Sequence, residues 1–317
     1  MSNFIQKSLR RLKDEYNYRR KIKWCSYKFI DRKQDRKEVL IILAGYKPYL
    51  FKDVFSRVEN FAPPRMDICI VSSGLYSDEL ANIAKKNNWS YLSIKRNSVS
   101  LAQNIAILLH SSAKFIYKMD EDIFLTENCL ELMMKTYKKV EQDGLYDISF
   151  VAPLIPINGY AHVRVLDKLN LSKLYTDKFE KIKYAAYSSR KIEKDPDVAK
   201  FFWGAGGYVP SIDELASRFG EEPLGYTACP IRFSIGCILF KRATWEHMGM
   251  WRVSKHGVGM GADEEQICQY AVANSQAIIV SENAIVGHLS FGQQNNDMKE
   301  YYMTNPDIFK CPCGGNL

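Results

Sequence analysis

Apolar residues fall in short continuous runs separated by stretches of helical period. Val39-Leu-Ile-Ile-Leu-Ala-Gly45 is unbroken and ends in glycine, as a strand buried on both faces should. Met66–Val71 is a second such run, closed by Ser72-Ser73-Gly74; Trp89–Ile94 is a third, and Lys114–Met119 a fourth. Between them the spacing predicts helices over 49–60, from Ser77 to about Asn87, and over 99–111, with Ser77 as N-cap and Asp78 and Glu79 in the first turn. A helix over 129–140 and a strand over Asp147–Ala152 come next. Strands alternating with helices at this spacing predict βαβ units and an α/β fold built on a mainly parallel sheet flanked by helices. Beyond 153 the pattern breaks at Pro153, Pro156, Gly159, Pro196, the Trp203–Pro210 stretch, Pro223 and Pro230. Residues 153–230 therefore read as a loop-rich insertion with a few short helices, such as Ser211–Phe219, serving as an acceptor region, a lid or a structural excursion. Regularity returns with Arg232–Phe240, a strand with Gly236 in its middle. A helix over 243–248, a helix opened by Asp263 and Glu264 with Ile267, Cys268 and Ala271 facing inward, and strands over Ala277–Val280 and Ala284–His288 complete the pattern.

The fourth strand ends abruptly in Asp120-Glu121-Asp122. Three acids at the end of a buried strand repel one another and cost desolvation unless positive charge meets them. A divalent cation answers this, since it takes oxygen ligands and holds substrate phosphates; a plain surface turn is the competing reading. Ligands of such sheets sit beyond the C-terminal strand ends, where Gly45, Ser72–Gly74, Arg96 and the acids all fall.

Composition narrows the class. The chain has 317 residues and 46% apolar content, enough for a large core. No run approaches the ~20 apolar residues that cross a bilayer, and the N-terminus has no apolar signal region. The eight cysteines are scattered without a CxxC pair, which favours reduced thiols and a cytoplasmic protein. Cys311-Pro-Cys313 reads as part of a frayed tail. Charge is uneven: residues 1–38 hold thirteen Lys/Arg against five Asp/Glu, a surplus equal to the net +8 of the whole chain. Ile5, Leu9, Leu12 and Tyr16 line one face of a helix among these cations, with Trp24, Tyr27 and Phe29 after it. That suits an anionic membrane surface contacted by residues 1–30, from the inner face of the membrane, or a stripe packed on the main domain. No nucleic-acid-binding motif accompanies the charge, so nucleic acid is not expected as a partner. The organisation expected is a basic segment over 1–37, a catalytic domain over 38–300 and a tail over 301–317.

Taken in order, the Val39–Gly45 strand, Gln103-Asn104, Met119-Asp-Glu-Asp-Ile123, Ser234–Arg242 followed by Met248-Gly249, Gly261-Ala-Asp-Glu-Glu265 and Val286-Gly-His288 resemble a GT-A glycosyltransferase. The likeness is to the family-two-like bacterial enzymes that build surface polysaccharides, and it covers roughly residues 38–292. It implies a Rossmann-like GT-A domain that moves a sugar from a nucleotide-sugar donor, UDP-linked by preference, to a glycan or lipid-linked glycan. It implies Mn2+ or Mg2+ held by Asp120, Asp122 and His288, and donor contacts from Ala44, Gly45, Arg96, Asp120 and Gly236. Asp263 would be the catalytic base of an inverting transfer; an ungapped match of Gly259–Glu264 to a galactosyltransferase-type pattern puts the base at Glu264 instead. Two departures stand out. Ser72-Ser73-Gly74 replaces the usual acid after the second strand, and Ala262-Asp-Glu-Glu265 replaces the usual Glu-Asp. A retaining transferase, a non-catalytic GT-A-like binding or scaffolding module, and a nucleotidyltransferase are the alternatives; for the last, Ala44-Gly45-Tyr46 matches the usual Gly-rich first loop poorly.

Overall fold

The computed structural model describes residues 22–186, 190–253 and 261–313. The apolar stripe Ile5, Leu9, Leu12 and Tyr16 and the glycine turn from Gly257 to Gly259 lie outside them.

A nine-stranded sheet organises the chain in the order β1-β4-β3-β2-β5-β9-β7-β10-β8. The strands are β1 (Tyr27–Ile30), β2 (Glu38–Leu43), β3 (Asp67–Ser73), β4 (Ser90–Ile94), β5 (Phe115–Asp120), β7 (Ile148–Leu154), β8 (Tyr226–Cys229), β9 (Cys237–Lys241) and β10 (Ala277–Ile285). β4, β3, β2 and β5 pair in parallel, β7 and β10 run the same way, and β1, β9 and β8 oppose them. This is the mixed, mainly parallel, helix-flanked sheet expected of the GT-A-type layout. Val39, Leu40, Ile41 and Ile42 of β2 and every residue of β3 are buried, which is why both read as unbroken apolar runs. Helices over Phe51–Phe61, Asp78–Lys86, Val99–Leu109 and Cys129–Asp143 connect or cover the first half. The Ser77 hydroxyl accepts the Leu80 N–H, as its N-cap position predicts.

A second, two-stranded sheet joins β6 (Ile123–Phe124) to β11 (Gly287–His288), antiparallel, with His288 opposite Ile123. It is too short for a periodicity to reveal. It closes the C-terminal end of β5 against the end of the fold.

Four expectations change. Within the basic segment, Tyr27–Ile30 forms β1, an edge strand against β4; four half-exposed residues among cations carry too weak an alternation to stand out. The 153–230 insertion is more helical than loop-rich, with helices over Ala161–Lys168, Ser172–Lys178, Lys191–Lys194, Pro196–Phe202 and Ile212–Glu221. Pro196 starts a helix instead of breaking one: it sits in the first turn, where its missing N–H costs nothing, and Asp195 caps it. Gly236 precedes β9 instead of lying inside it. A Cβ there would meet Ile123 Cδ1 at 2.9 Å, so the glycine is where β6 crosses closely. Finally, the stretch from 301 does not fray up to Cys311. Phe309 is fully buried, its ring 4.6 Å from Trp203, 4.9 Å from Tyr302 and 5.4 Å from Phe124; these aromatics are far apart in sequence and share no period.

Arg57 ties these late elements to the sheet. It is fully buried, donates to both carboxylate oxygens of Asp213 at 2.7 and 2.8 Å, and also donates to the carbonyls of Leu125, Phe309 and Lys310. One guanidinium thus satisfies the insertion, the segment after β6 and the C-terminal segment together. Replacing it leaves a carboxylate and three carbonyls without their donor. Arg57→Ala is expected to lower stability by about 3 to 5 kcal/mol in denaturant unfolding, whereas Arg218→Ala, at an exposed helical pair with Glu214, leaves the midpoint unchanged.

Candidate active site

The three acids at the end of β5 have three different fates. The Asp120 amide donates to the Gly236 carbonyl at 2.9 Å, and its carboxylate lies 2.7 Å from Lys118 Nζ. Lys118 is two residues earlier on the same face, 3% exposed, and also donates to the Ile235 carbonyl at 2.8 Å. Burial pushes the Asp120 carboxyl up to about 6; Asp122 and Asp263 add to the rise and Lys118 opposes it. Burial alone would lower the Lys118 ammonium, but Asp120, then Asp263 and Glu264, hold it above its ordinary value.

Glu121 turns back to the loop after β2. Its carboxylate accepts the Gly45 N–H at 2.7 Å and the Tyr46 N–H at 3.0 Å. Burial raises its carboxyl while these amides draw it down. The middle acid is therefore a staple for the turn.

Asp122 faces the short sheet. Its carbonyl accepts the Leu289 N–H at 3.0 Å, and β6–β11 pairing brings His288 Nε2 to 3.4 Å from its Oδ2. Lys47 Nζ reaches the same Oδ2 at 2.5 Å, with Asn295 Oδ1 3.4 Å away. Burial would raise the Asp122 carboxyl, but His288 and then Lys47 hold it far below the usual carboxylate range. His288 Nδ1 is buried without a hydrogen-bond partner among the described residues. Behind the ring, Trp203 Nε1 donates to the His288 carbonyl at 3.1 Å.

Asp263 sits in the first turn of the helix Ala262–Ala273, 6% exposed. Gln103 Nε2 donates to its Oδ2 at 2.7 Å, and its Oδ1 accepts the Glu264 N–H at 3.0 Å. Its charge is felt at Asp120 and Lys118, which places it on the same rim. Glu264 is committed elsewhere: Arg232 Nε lies 2.5 Å from Oε1, and the Ile235 N–H points to Oε2 at 3.4 Å. Burial raises the Glu264 carboxyl and Arg232 opposes it.

Of the expected site residues, Asp120, Asp122, His288, Asp263 and Gly236 gather at one rim. Ala44 and Gly45 border it, but their amides are taken by the Val71 carbonyl and by Glu121. Arg96 stands apart. It follows β4, three strands and about 14 Å across the sheet from β5, and its charge acts on the Cys25 thiol, drawing it down against burial. Ser72–Gly74 is knitted to the Asn97–Ser98 turn: Ser73 Oγ accepts the Ser98 N–H at 2.6 Å, and a Cβ on Gly74 would meet Asn97 at 2.6 Å. Sequence reasoning missed Lys47 and Lys118, whose only signal is their spacing from apolar strand residues, and the contact of Gln103 with Asp263 across 160 positions.

Among the described residues no three His, Cys, Asp or Glu side chains converge to cage a cation by themselves. Asp122 and His288 nevertheless bring a carboxylate oxygen and a ring nitrogen to within 3.4 Å of each other. That donor set suits an ion that completes its shell with water and substrate phosphate, as Mg2+ and Mn2+ do, and the imidazole favours Mn2+ of the two.

No protein-family model matches the chain, and no curated protein sequence matches it. Solved structures resemble it distantly. A mannosyltransferase from Pyrobaculum calidifontis in complex with GDP-Man and Mn2+ is 12% identical, with a TM-score of 0.43 over 90% of this chain and 67% of that one. GalNAc-T7 with UDP, GalNAc and Mn2+ is 11% identical, with a TM-score of 0.47 over 88% of this chain; the chain spans about half (52%) of that protein's length. Both fall short of a TM-score of 0.5, so the function of this chain is read from its own side chains.

Gly287 tests the backing of the site. A Cβ there would meet the Trp203 ring at 2.3 Å, and Trp203 is 6% exposed with no room to move away. Gly287→Ala is expected to cost about 1 to 3 kcal/mol in unfolding experiments, through forced displacement of the indole; an unchanged midpoint would show that the ring is not wedged behind β11.

Proposed function

We propose that the protein is a metal-dependent glycosyltransferase of GT-A type. The observation that carries this reading is the pairing of Asp122 with His288 across β6 and β11, on the rim where Asp263 acts on Asp120. A cation-binding pair beside a separate, positioned carboxylate is what transfer from a nucleotide sugar requires.

The acceptor hydroxyl oxygen attacks the anomeric carbon, the bond from that carbon to the donor diphosphate breaks, and Asp263 takes the hydroxyl proton. Gln103 fixes which Asp263 oxygen faces the acceptor. Asp122 and His288 would hold a divalent cation, which when bound would supply charge compensation for the departing diphosphate. Asp120, clamped by Lys118, and Gly236, packed closely against Ile123, line the donor. Ala44 and Gly45 shape the neighbouring turn, and Arg96, three strands away, is left for the nucleoside end. Attack opposite the leaving group by a base-assisted hydroxyl is inverting chemistry. The donor is a nucleotide sugar, UDP-linked by preference; the acceptor is a glycan or lipid-linked glycan of bacterial surface polysaccharide synthesis. Residues 1–30, with Trp24 75% and Tyr27 45% exposed at their end, would hold the protein on the anionic inner face of the membrane. No helix among the described residues is long and apolar enough to cross it.

Asp263 outranks Glu264 as base because its partners are neutral donors, whereas Glu264 would have to leave the Arg232 guanidinium to accept a proton. Asp263→Asn is expected to lower turnover by at least about 10²-fold with UDP affinity retained; turnover near wild type would remove Asp263 from the role. Asp122→Ala, or EDTA on the wild type, is expected to abolish the Mn2+-dependent gain in UDP affinity measured by calorimetry. UDP affinity indifferent to Mn2+ would sink the metal assignment. Gln103→Ala is expected to lower kcat by about tenfold with donor KM little changed and to shift the pH profile of kcat. A rise in donor KM alone would place Gln103 in binding instead.

A further inference from the structure

Lys47 does something the sequence motifs do not mention. Its ammonium lies 2.5 Å from Asp122 Oδ2, and His288 Nε2 lies 3.4 Å from that same atom. A cation and an imidazole already converge on the one oxygen that a divalent ion would use. Such an ion would bond that oxygen at about 2.0 to 2.2 Å, which sets it against a positive charge at contact distance. The repulsion sets ammonium and ion in competition for that oxygen.

We infer that Lys47 is a resident counter-ion of Asp122 that a divalent cation must displace, and that its ammonium then serves the diphosphate of the donor. This rests on the metal-dependent reading above and names a donor-binding residue which that reading does not contain.

The geometry distinguishes the two lysines of the rim. Lys118 is 3% exposed and held by Asp120 and the Ile235 carbonyl, so it is fixed. The Lys47 side chain is 21% exposed, and its other contact, Asn295 Oδ1 at 3.4 Å, is long. It can swing on a flexible stem. Its root cannot, because Glu121 staples the amides of Gly45 and Tyr46 just before it, and the next turn begins at Pro48. The head is therefore free to leave Asp122 while the stem stays at the rim, within reach of anything bound there. A phosphate held on the same cation is the natural new partner, since an ammonium binds phosphate as a point charge. The consequence is coupling. A cation alone must evict Lys47 from a carboxylate and leave it without an anion; a cation arriving with a diphosphate provides one. Metal and nucleotide should then bind better together than either alone.

The test is calorimetric titration of MnCl2 alone, and of UDP at saturating Mn2+, into the full-length protein and into Lys47→Met and Lys47→Arg, each checked for an unaltered melting transition. For Lys47→Met, Mn2+ affinity in the absence of nucleotide is expected to rise about tenfold, because an opposing charge at contact is gone. UDP affinity in Mn2+ is expected to fall about tenfold, because a charge-assisted contact is gone. Lys47→Arg, which keeps the charge, should stay near wild type for Mn2+ alone. Wild-type Mn2+ affinity in Lys47→Met overturns the displacement while leaving the metal-dependent reading intact. Tighter Mn2+ with undiminished UDP binding overturns the diphosphate role. No Mn2+ binding by any of the three proteins overturns this inference and the reading beneath it together.

Discussion

Everything at this rim stems from one electrostatic constraint: three carboxylates at the end of a buried strand must each find a partner. Unpaired, each would bear the desolvation cost of a buried charge and the repulsion of its neighbours. The chain resolves this by giving each acid a different kind of partner. Asp120 takes a fixed lysine from its own strand, Glu121 takes backbone amides from the loop after β2, and Asp122 takes a lysine and a histidine from opposite ends of the sequence. The division of labour separates structure from chemistry. Glu121 and Lys118 are held by buried partners on the sheet and its loops, while Asp122 is held by the side chains of Lys47 and His288.

Bringing His288 to Asp122 requires the end of the fold to return to the middle of the sheet, and that return is buttressed from behind. Trp203 of the insertion donates to the His288 carbonyl and packs against Gly287, Phe124 and Phe309. Phe309 is in turn held by the carbonyl contact to Arg57, which also grips Asp213 at the start of the insertion helix Ile212–Glu221. The insertion and the C-terminal segment are thus part of what positions His288. A side-chain contact built from a two-residue ladder needs such support, because two short strands have little stability of their own.

The central sheet was legible because burial on both faces leaves no polar residue to interrupt β2 and β3, and because Ser77 announces its helix through a local hydrogen bond. The acids, Asp263 and His288 were legible as a family resemblance in residue order. What escaped shares one property: it depends on contacts between distant residues. β1 and β6 are too short to carry a period. The aromatic knot of Phe124, Trp203, Tyr302 and Phe309 links four remote segments with no repeat. Prolines in the insertion looked like breaks because a helix start and a helix stop use the same residue. Lys47 looks like an ordinary surface residue, and Gln103, marked by the resemblance, gives no sign of its partner, until the fold places them against Asp122 and Asp263.

The choice between Asp263 and Glu264 shows how placement overrides alignment. Both lie in the first turn of one helix, where the dipole favours negative charge, and both feel Lys118. They differ in direction and in partner. Glu264 points to Arg232 and the Ile235 amide, an arrangement that ties the segment before β9 to the helix and that proton uptake would break. Asp263 is steered by a neutral amide, which fixes its orientation without a positive charge at contact. Asp120 and Lys118 lie beside Asp263 as a neutralised pair. Glu264, held by Arg232 and the Ile235 amide, is a brace, and Asp263, held by one neutral side chain, is the less encumbered carboxylate of the two.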